Sequence, residues 1–170
     1  YKVAHFGKSH FNPPASYRDW EHVPSETRVG NLRNDLQPEV FDRWVRGYRG
    51  NQPLCLIVGC HSPHVYWEEN SGLDPARVTI PPNHVDTAET RIWRTRYYTD
   101  IQRMDQQLGQ VHRSTMEALG DNTLFTYMAD NGAQWPLAKW SLYDDAIRLP
   151  MVTSWPPGPK QARRSDAMIS

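Results

Sequence analysis

In the stretch TRYYTDIQRMDQQLGQVHRST (Thr95–Thr115), apolar or partly apolar side chains recur at Tyr97, Ile101, Met104, Leu108, Val111 and Thr115. Alternating steps of four and three put these six on one face of an α-helix. The pattern predicts a long helix whose Met and aromatic stripe faces a core. Asp86 with Glu89 three residues later has the form of a capping box at its start, and Leu119-Gly120 supplies a stop.

The flanking segments settle what this helix joins. Before it, PLCLIVGC (Pro53–Cys60) is an unbroken apolar run of strand length, the kind found in a sheet covered on both faces. After it, TLFTYM (Thr123–Met128) reads as a second buried strand and RLPMVTSW (Arg148–Trp155) as a third. Strand, long helix, strand is a crossover unit, so the expectation is an α/β fold. Further toward the start, residues 11–40 are rich in proline and polar side chains and read as loop. A short helix is expected at PEVFDRWVRGY (Pro38–Tyr48), with Pro38 in its first turn. Residues 61–85, punctuated by prolines, read as a second long loop.

Composition narrows the function. Lys+Arg and Asp+Glu both number 19, so the formal charge is zero, which argues against a nucleic-acid partner held by bulk electrostatics. No apolar run approaches the roughly 20 residues of a membrane span. Cys55 and Cys60 share one strand at odd spacing and would point to opposite faces, poorly placed for a disulfide; no C-x-x-C is present. The sequence opens at Tyr1 on patterned residues and stops at SDAMIS as an apolar rhythm resumes, so the expectation is a piece cut at both ends.

In open α/β sheets, ligands gather beyond the carboxyl ends of strands. Asp130 and Asn131 follow one strand directly, and His61 and His64 follow another. If those strands are neighbours, all four side chains line one rim. Carboxylate and amide oxygens suit a hard cation, Ca²⁺ or Mg²⁺, while Lys8, Lys139 and the histidines suit the oxygens of a sulfate or phosphate. Each residue also has a plainer reading. Asp-Asn-Gly is a common turn, a histidine beside a loop is usually a surface group, and Cys60 has the character of a small buried residue.

Three segments together resemble the sulfatase family of the alkaline-phosphatase-like superfamily. YKVAHFGKSH (Tyr1–His10) resembles a signature written G-Y-x-T-x-x-x-G-K-W-H. LCLIVGCHSPHVYW (Leu54–Trp67) is similar to the family's strand ending in a Pro-His pair. LFTYMADNGAQWPLAKWSLYDDAIRLP (Leu124–Pro150) is similar to its Asp-Asn-Gly segment. They occur in the family's order, with TRYYTDIQRMDQQLGQV matching the helix before the Asp-Asn-Gly strand, and the likeness covers most of the chain. PPNHVDTAETR with YYTDIQRMD resembles the heparan-type N-sulfoglucosamine sulfohydrolases and related bacterial arylsulfatases.

The resemblance implies an alkaline-phosphatase-like, mostly parallel sheet flanked by helices, with residues 1–170 an internal part of a single catalytic domain. It implies that Asp130 and Asn131 ligate Ca²⁺ (Mg²⁺ is the alternative) and that Lys8 and Lys139 hold the sulfate. His10 and His64 would lie at the sulfate, one of them an acid for the leaving group, and Arg148 and Pro150 would support the site. The substrate would be a sulfated small molecule or glycan, with neither nucleic acid nor membrane as partner, in a periplasmic, secreted or lysosomal setting. Ser9, Ala129, Ala138 and Ala146 depart from the family's usual Trp, Ser, Gly and Gly. Ala146 would strain its turn if the position needed positive φ.

The family's nucleophile is a formylglycine made within C/S-x-P-S-R, and its metal site includes an early Asp-Asp pair. Neither motif occurs here: Cys60 is followed by HSPH and Cys55 by LIVG. Both are expected upstream of Tyr1, and the 170 residues alone are expected to be inactive. The alternatives are a phosphodiesterase or phosphonate hydrolase of the same superfamily, and a non-catalytic relic that binds sulfated glycans.

Overall fold

A computed structural model describes residues 1–9, 17–23 and 35–168. The strands β1 (Lys2–Gly7), β2 (Glu21–Val23) and β3 (Leu54–Gly59) form one sheet in the order β2-β1-β3, all parallel. β1 is central, with Ala4 opposite Glu21 on one side and Leu56 on the other. The helix α1 (Pro38–Gly47) begins with Pro38 in its first turn, as its sequence predicts, and lays Phe41 and Val45 against Ala4 and Phe6. Phe6 meets the edge of Phe41 at 4.9 Å between centroids and that of Trp44 at 5.3 Å, favoured geometries for aromatic pairs.

The long helix α2 runs from Ala88 to Leu119. Its cap differs from the sequence expectation. Thr87, not Asp86, is the N-cap, and its hydroxyl accepts the Thr90 N–H at 3.1 Å. Asp86 pairs instead with the Arg91 guanidinium at 2.6 Å. A threonine one residue closer to the helix reaches the orphan N–H that the carboxylate would otherwise take. Gly120 ends the helix with φ +76, a left-handed conformation that glycine adopts without strain.

β4 (Phe125–Met128) and β5 (Met151–Ser154) form an antiparallel pair, with the short helix α3 (Asp144–Ile147) between them. The predicted crossover is corrected here. α2 does connect β3 to β4, but β4 pairs with β5 rather than with any strand of the parallel sheet. Between the two sheets lies a cavity of about 2040 Å³, lined by Leu56 and Val58 of β3, Met104 and Leu108 of α2, and Phe125 and Tyr127 of β4. The apolar stripe of α2 is thus core only at its C-terminal end, where Val111 and Thr115 are buried; Tyr97, Ile101, Met104 and Leu108 are half-buried along the cavity. The loop over residues 61–85 contains one 3₁₀ turn, Pro75–Arg77. No helix among the described residues is long and apolar enough to cross a membrane.

Candidate functional site

Lys8 follows β1 directly, and its position depends on two glycines. Gly7 has φ +75, and a Cβ there would lie 2.2 Å from the Gly59 carbonyl oxygen. A Cβ on Gly59 would lie 2.1 Å from the Lys8 carbonyl oxygen. The ends of β1 and β3 therefore pass closer than any side chain permits, with the Lys8 N–H donating to Gly59 at 2.8 Å. His5 Nε2, buried in the sheet, donates to the Lys8 carbonyl at 3.1 Å. Burial lowers the pKa of Lys8; Lys139 adds to that, and Asp130 and Asp35 oppose it. Both lysines and both carboxylates therefore act on one region of space.

From β3 the chain turns into His61 and His64, whose rings lie 5.2 Å apart. His64 Nδ1 donates to the Val65 carbonyl at 2.7 Å, which leaves the Nε2 lone pair to accept from the Lys139 ammonium at 3.2 Å. Burial lowers the pKa of His61, the Lys8 and His64 charges lower it further, and Asp35 and a hydrogen bond to the Val65 backbone oppose them.

Asp35 is the residue that sequence reasoning missed. Its Oδ1 accepts the backbone N–H groups of Leu36 (2.8 Å) and His61 (2.7 Å), and Gln107 of α2 donates to its Oδ2 at 3.3 Å. One buried carboxylate thus fixes the start of the histidine loop to α2. Nothing local in NDLQPEV signals this, because two of these three partners lie 26 and 72 residues away.

The Asp130 loop is shaped by close packing as much as by turn chemistry. A Cβ on Gly132 would lie 2.1 Å from the Asp145 carbonyl oxygen, and the Gly132 N–H donates to Ala146 at 3.0 Å. The glycine of Asp-Asn-Gly is required because α3 presses on it. Ala146 sits buried inside α3, and the non-glycine residues with positive φ among the described residues are Leu137 and Trp140, so the strain considered for Ala146 does not arise. Lys139 is held by its N–H to the Ala133 carbonyl at 3.0 Å.

Lys8, His64 and Lys139 therefore converge, and Asp130 lies close enough to act on Lys8, although β3 and β4 are not paired. His10 lies outside the described residues. Arg148 is exposed, lies 3.6 Å from Asp144, and with Pro150 lines the same cavity as the lysines. Both cysteines are free; Cys55 is exposed, while burial and the nearby Asp35 charge push the Cys60 thiol up to about 12, so Cys60 is no thiolate nucleophile. Asp130 and Asn131 offer the hard oxygens that Ca²⁺ or Mg²⁺ prefers, but they are two of the about six to eight such an ion takes. Among the described residues no three His, Cys, Asp or Glu side chains gather as a metal set.

The sulfatase family model matches residues 3–170. The chain is 27% identical over 175 residues to an ulvan-active sulfatase of Formosa agariphila, covering 99% of this chain and 34% of that protein. It is 26% identical over 195 residues to the N-sulphoglucosamine sulphohydrolase of Homo sapiens, covering 96% of this chain and 38% of that protein. The chain thus spans little more than a third of the length of these curated relatives.

Proposed function

The chain belongs to the sulfatase family, and from that premise we propose that it forms the sulfate-binding part of a hydrolase acting on sulfate esters or N-sulfates of sugars. The observation that carries this reading is the meeting of Lys8, His64 and Lys139 at the ends of different elements, in a cavity that Asp130 also lines. Two ammonium groups match a tetrahedral oxyanion and offset the charge that builds on its oxygens during displacement at sulfur. Both relatives carry names of enzymes that act on sulfated carbohydrate.

Proton transfer falls to the Lys139–His64 pair. As the two stand, His64 Nε2 accepts, so the proton facing the cavity belongs to Lys139. Once the Lys139 ammonium turns to a sulfate oxygen, the freed His64 Nε2 lone pair takes a proton from water, and the imidazolium so formed gives it to the departing alcohol or amine. Asp130 and Asn131 would hold a Ca²⁺ or Mg²⁺, which when bound supplies further positive charge beside the sulfuryl oxygens. The nucleophile in this reading is a formylglycine outside these 170 residues.

Sulfate binding by the 170-residue chain, followed by titration calorimetry, tests the proposal. Lys139→Ala and Lys8→Ala are each expected to weaken it about 10- to 100-fold, the worth of a charge-assisted hydrogen bond. The isolated chain is expected to release no sulfate from aryl or amino-sugar sulfates. Unchanged affinity in both variants, or turnover by the chain alone, would sink the reading.

A further inference from the structure

A second group of donors lies in the wall of the same cavity. Arg94 of α2 is 5% exposed, and its Nη2 lies 2.6 Å from His84 Nδ1. A guanidinium only donates, so His84 Nδ1 accepts and the neutral ring carries its proton on Nε2. The Arg94 guanidinium carbon sits 3.9 Å from the centroid of the Trp135 ring, which also stacks on Trp67 at 4.9 Å. Around this stack, His84 Nε2, Arg94 Nε and Trp135 Nε1 are all buried without a hydrogen-bond partner among the described residues. So is one acceptor, Gln134 Oε1. Arg94 makes no ion pair among the described residues; the carboxylate whose charge reaches it, Asp145, accepts from Asn83 at 2.9 Å.

Three buried donors on this stack, one of them on a guanidinium without an ion-pair contact among the described residues, carry a desolvation cost that an oxyanion would offset. The aromatic surface and the spare amide oxygen suit a sugar ring with its hydroxyls. Trp135 and Lys139 share one short loop, joined by the Ala138 N–H to the Trp135 carbonyl at 3.1 Å, and both line the one cavity.

We propose that His84, Arg94 and Trp135 form a second oxyanion subsite, which holds a carboxylate or further sulfate carried by the same saccharide as the sulfate held at Lys8 and Lys139. This deepens the sulfated-sugar reading and rests on it for the identity of the first anion. The subsite selects sugars with two acidic groups over sugars with one.

The test is titration of the 170-residue chain with four probes: a monosulfated glucosamine, a methyl uronide without sulfate, a disaccharide joining the two, and a disulfated disaccharide without carboxylate. One or both dianionic disaccharides are expected to bind about 10- to 100-fold more tightly than the monosulfated sugar. Whichever gains identifies the second anion as carboxylate or sulfate. In Arg94→Gln that gain disappears while monosulfate affinity stays within about twofold, and Arg94→Lys, which keeps the charge without the planar fork, recovers only part of it. Equal affinity of wild type for all sulfated probes would overturn the subsite without recourse to any variant. Uronide binding that needs Arg94, in a chain that ignores monosulfate, would uphold the subsite and reject the sulfate reading instead.

Discussion

The parallel sheet and the β4–β5 pair are built to different standards. In the first, Ala4, Phe6, Phe41 and Val45 are buried to 2% exposure or less and pack in a single cluster. In the second, Met128 and Val152 are each more than half exposed, and pairing rests on four residues per strand. Each half nonetheless delivers one lysine of the proposed sulfate site: Lys8 from the packed half, Lys139 from the open one. The difference teaches that the site's geometry is fixed from the Lys8 and His64 side, where Asp35 and the glycine contact hold the backbone. The Lys139 side is placed by loop hydrogen bonds and by α3 against Gly132.

Core truncation tests this comparison most severely. Phe6→Ala or Phe41→Ala should each cost about 3–5 kcal/mol in urea unfolding, whereas Val152→Ala should stay within about 0.5 kcal/mol. Equal losses in the two halves would dissolve the contrast. The glycine contact comes next. Gly59→Ala should cost about 2–4 kcal/mol and also weaken sulfate binding, because the added Cβ meets backbone next to Lys8. A stable Gly59→Ala chain with unaltered sulfate affinity would show that the contact does not position Lys8.

Smaller effects sharpen the picture at α2 and at the histidines. Thr87→Ala should cost about 1 kcal/mol, and Asp86→Ala should leave the cap intact. A larger loss in the second variant would return the capping role to Asp86. His5 and His61 both have pKa values lowered, chiefly by burial. Between the folded and ordinary values the unfolded chain binds more protons, so stability rises with pH through that window and falls as pH drops from about 7 towards 5. Melting temperatures across that range should rise with pH, and His5→Asn should flatten the rise. A melting temperature that falls with pH would reverse the assignment.

Local chemistry made much of the fold legible. The four-and-three spacing from Tyr97 to Thr115 marked α2, Pro38 marked the first turn of α1, an unbroken apolar run marked β3, and shorter, mixed stretches of strand-forming residues marked β4 and β5. These signals survive because helix period, proline geometry and strand propensity act over a few neighbouring residues. What misled was partnership. The crossover rule joined β3 to β4, but pairing is a long-range choice that a strand's own residues do not encode. Likewise Asp86 resembled a cap until Thr87 competed for the same N–H.

At the site, the sequence by itself determined which groups were available: the lysine after Gly7, the histidines after β3, and the Asp-Asn-Gly with its following lysine. Each type carries its chemistry wherever it sits, so the resemblance could be read residue by residue. Tertiary structure alone decided their company. It set His64 against Lys139 across 75 residues, fastened the His61 backbone to Asp35, and stacked Arg94 on Trp135 beside donors that have no partner among the described residues. Hydrogen bonds and ring contacts depend on distances of a few ångströms, and a linear order of residues fixes such distances only after the chain has folded.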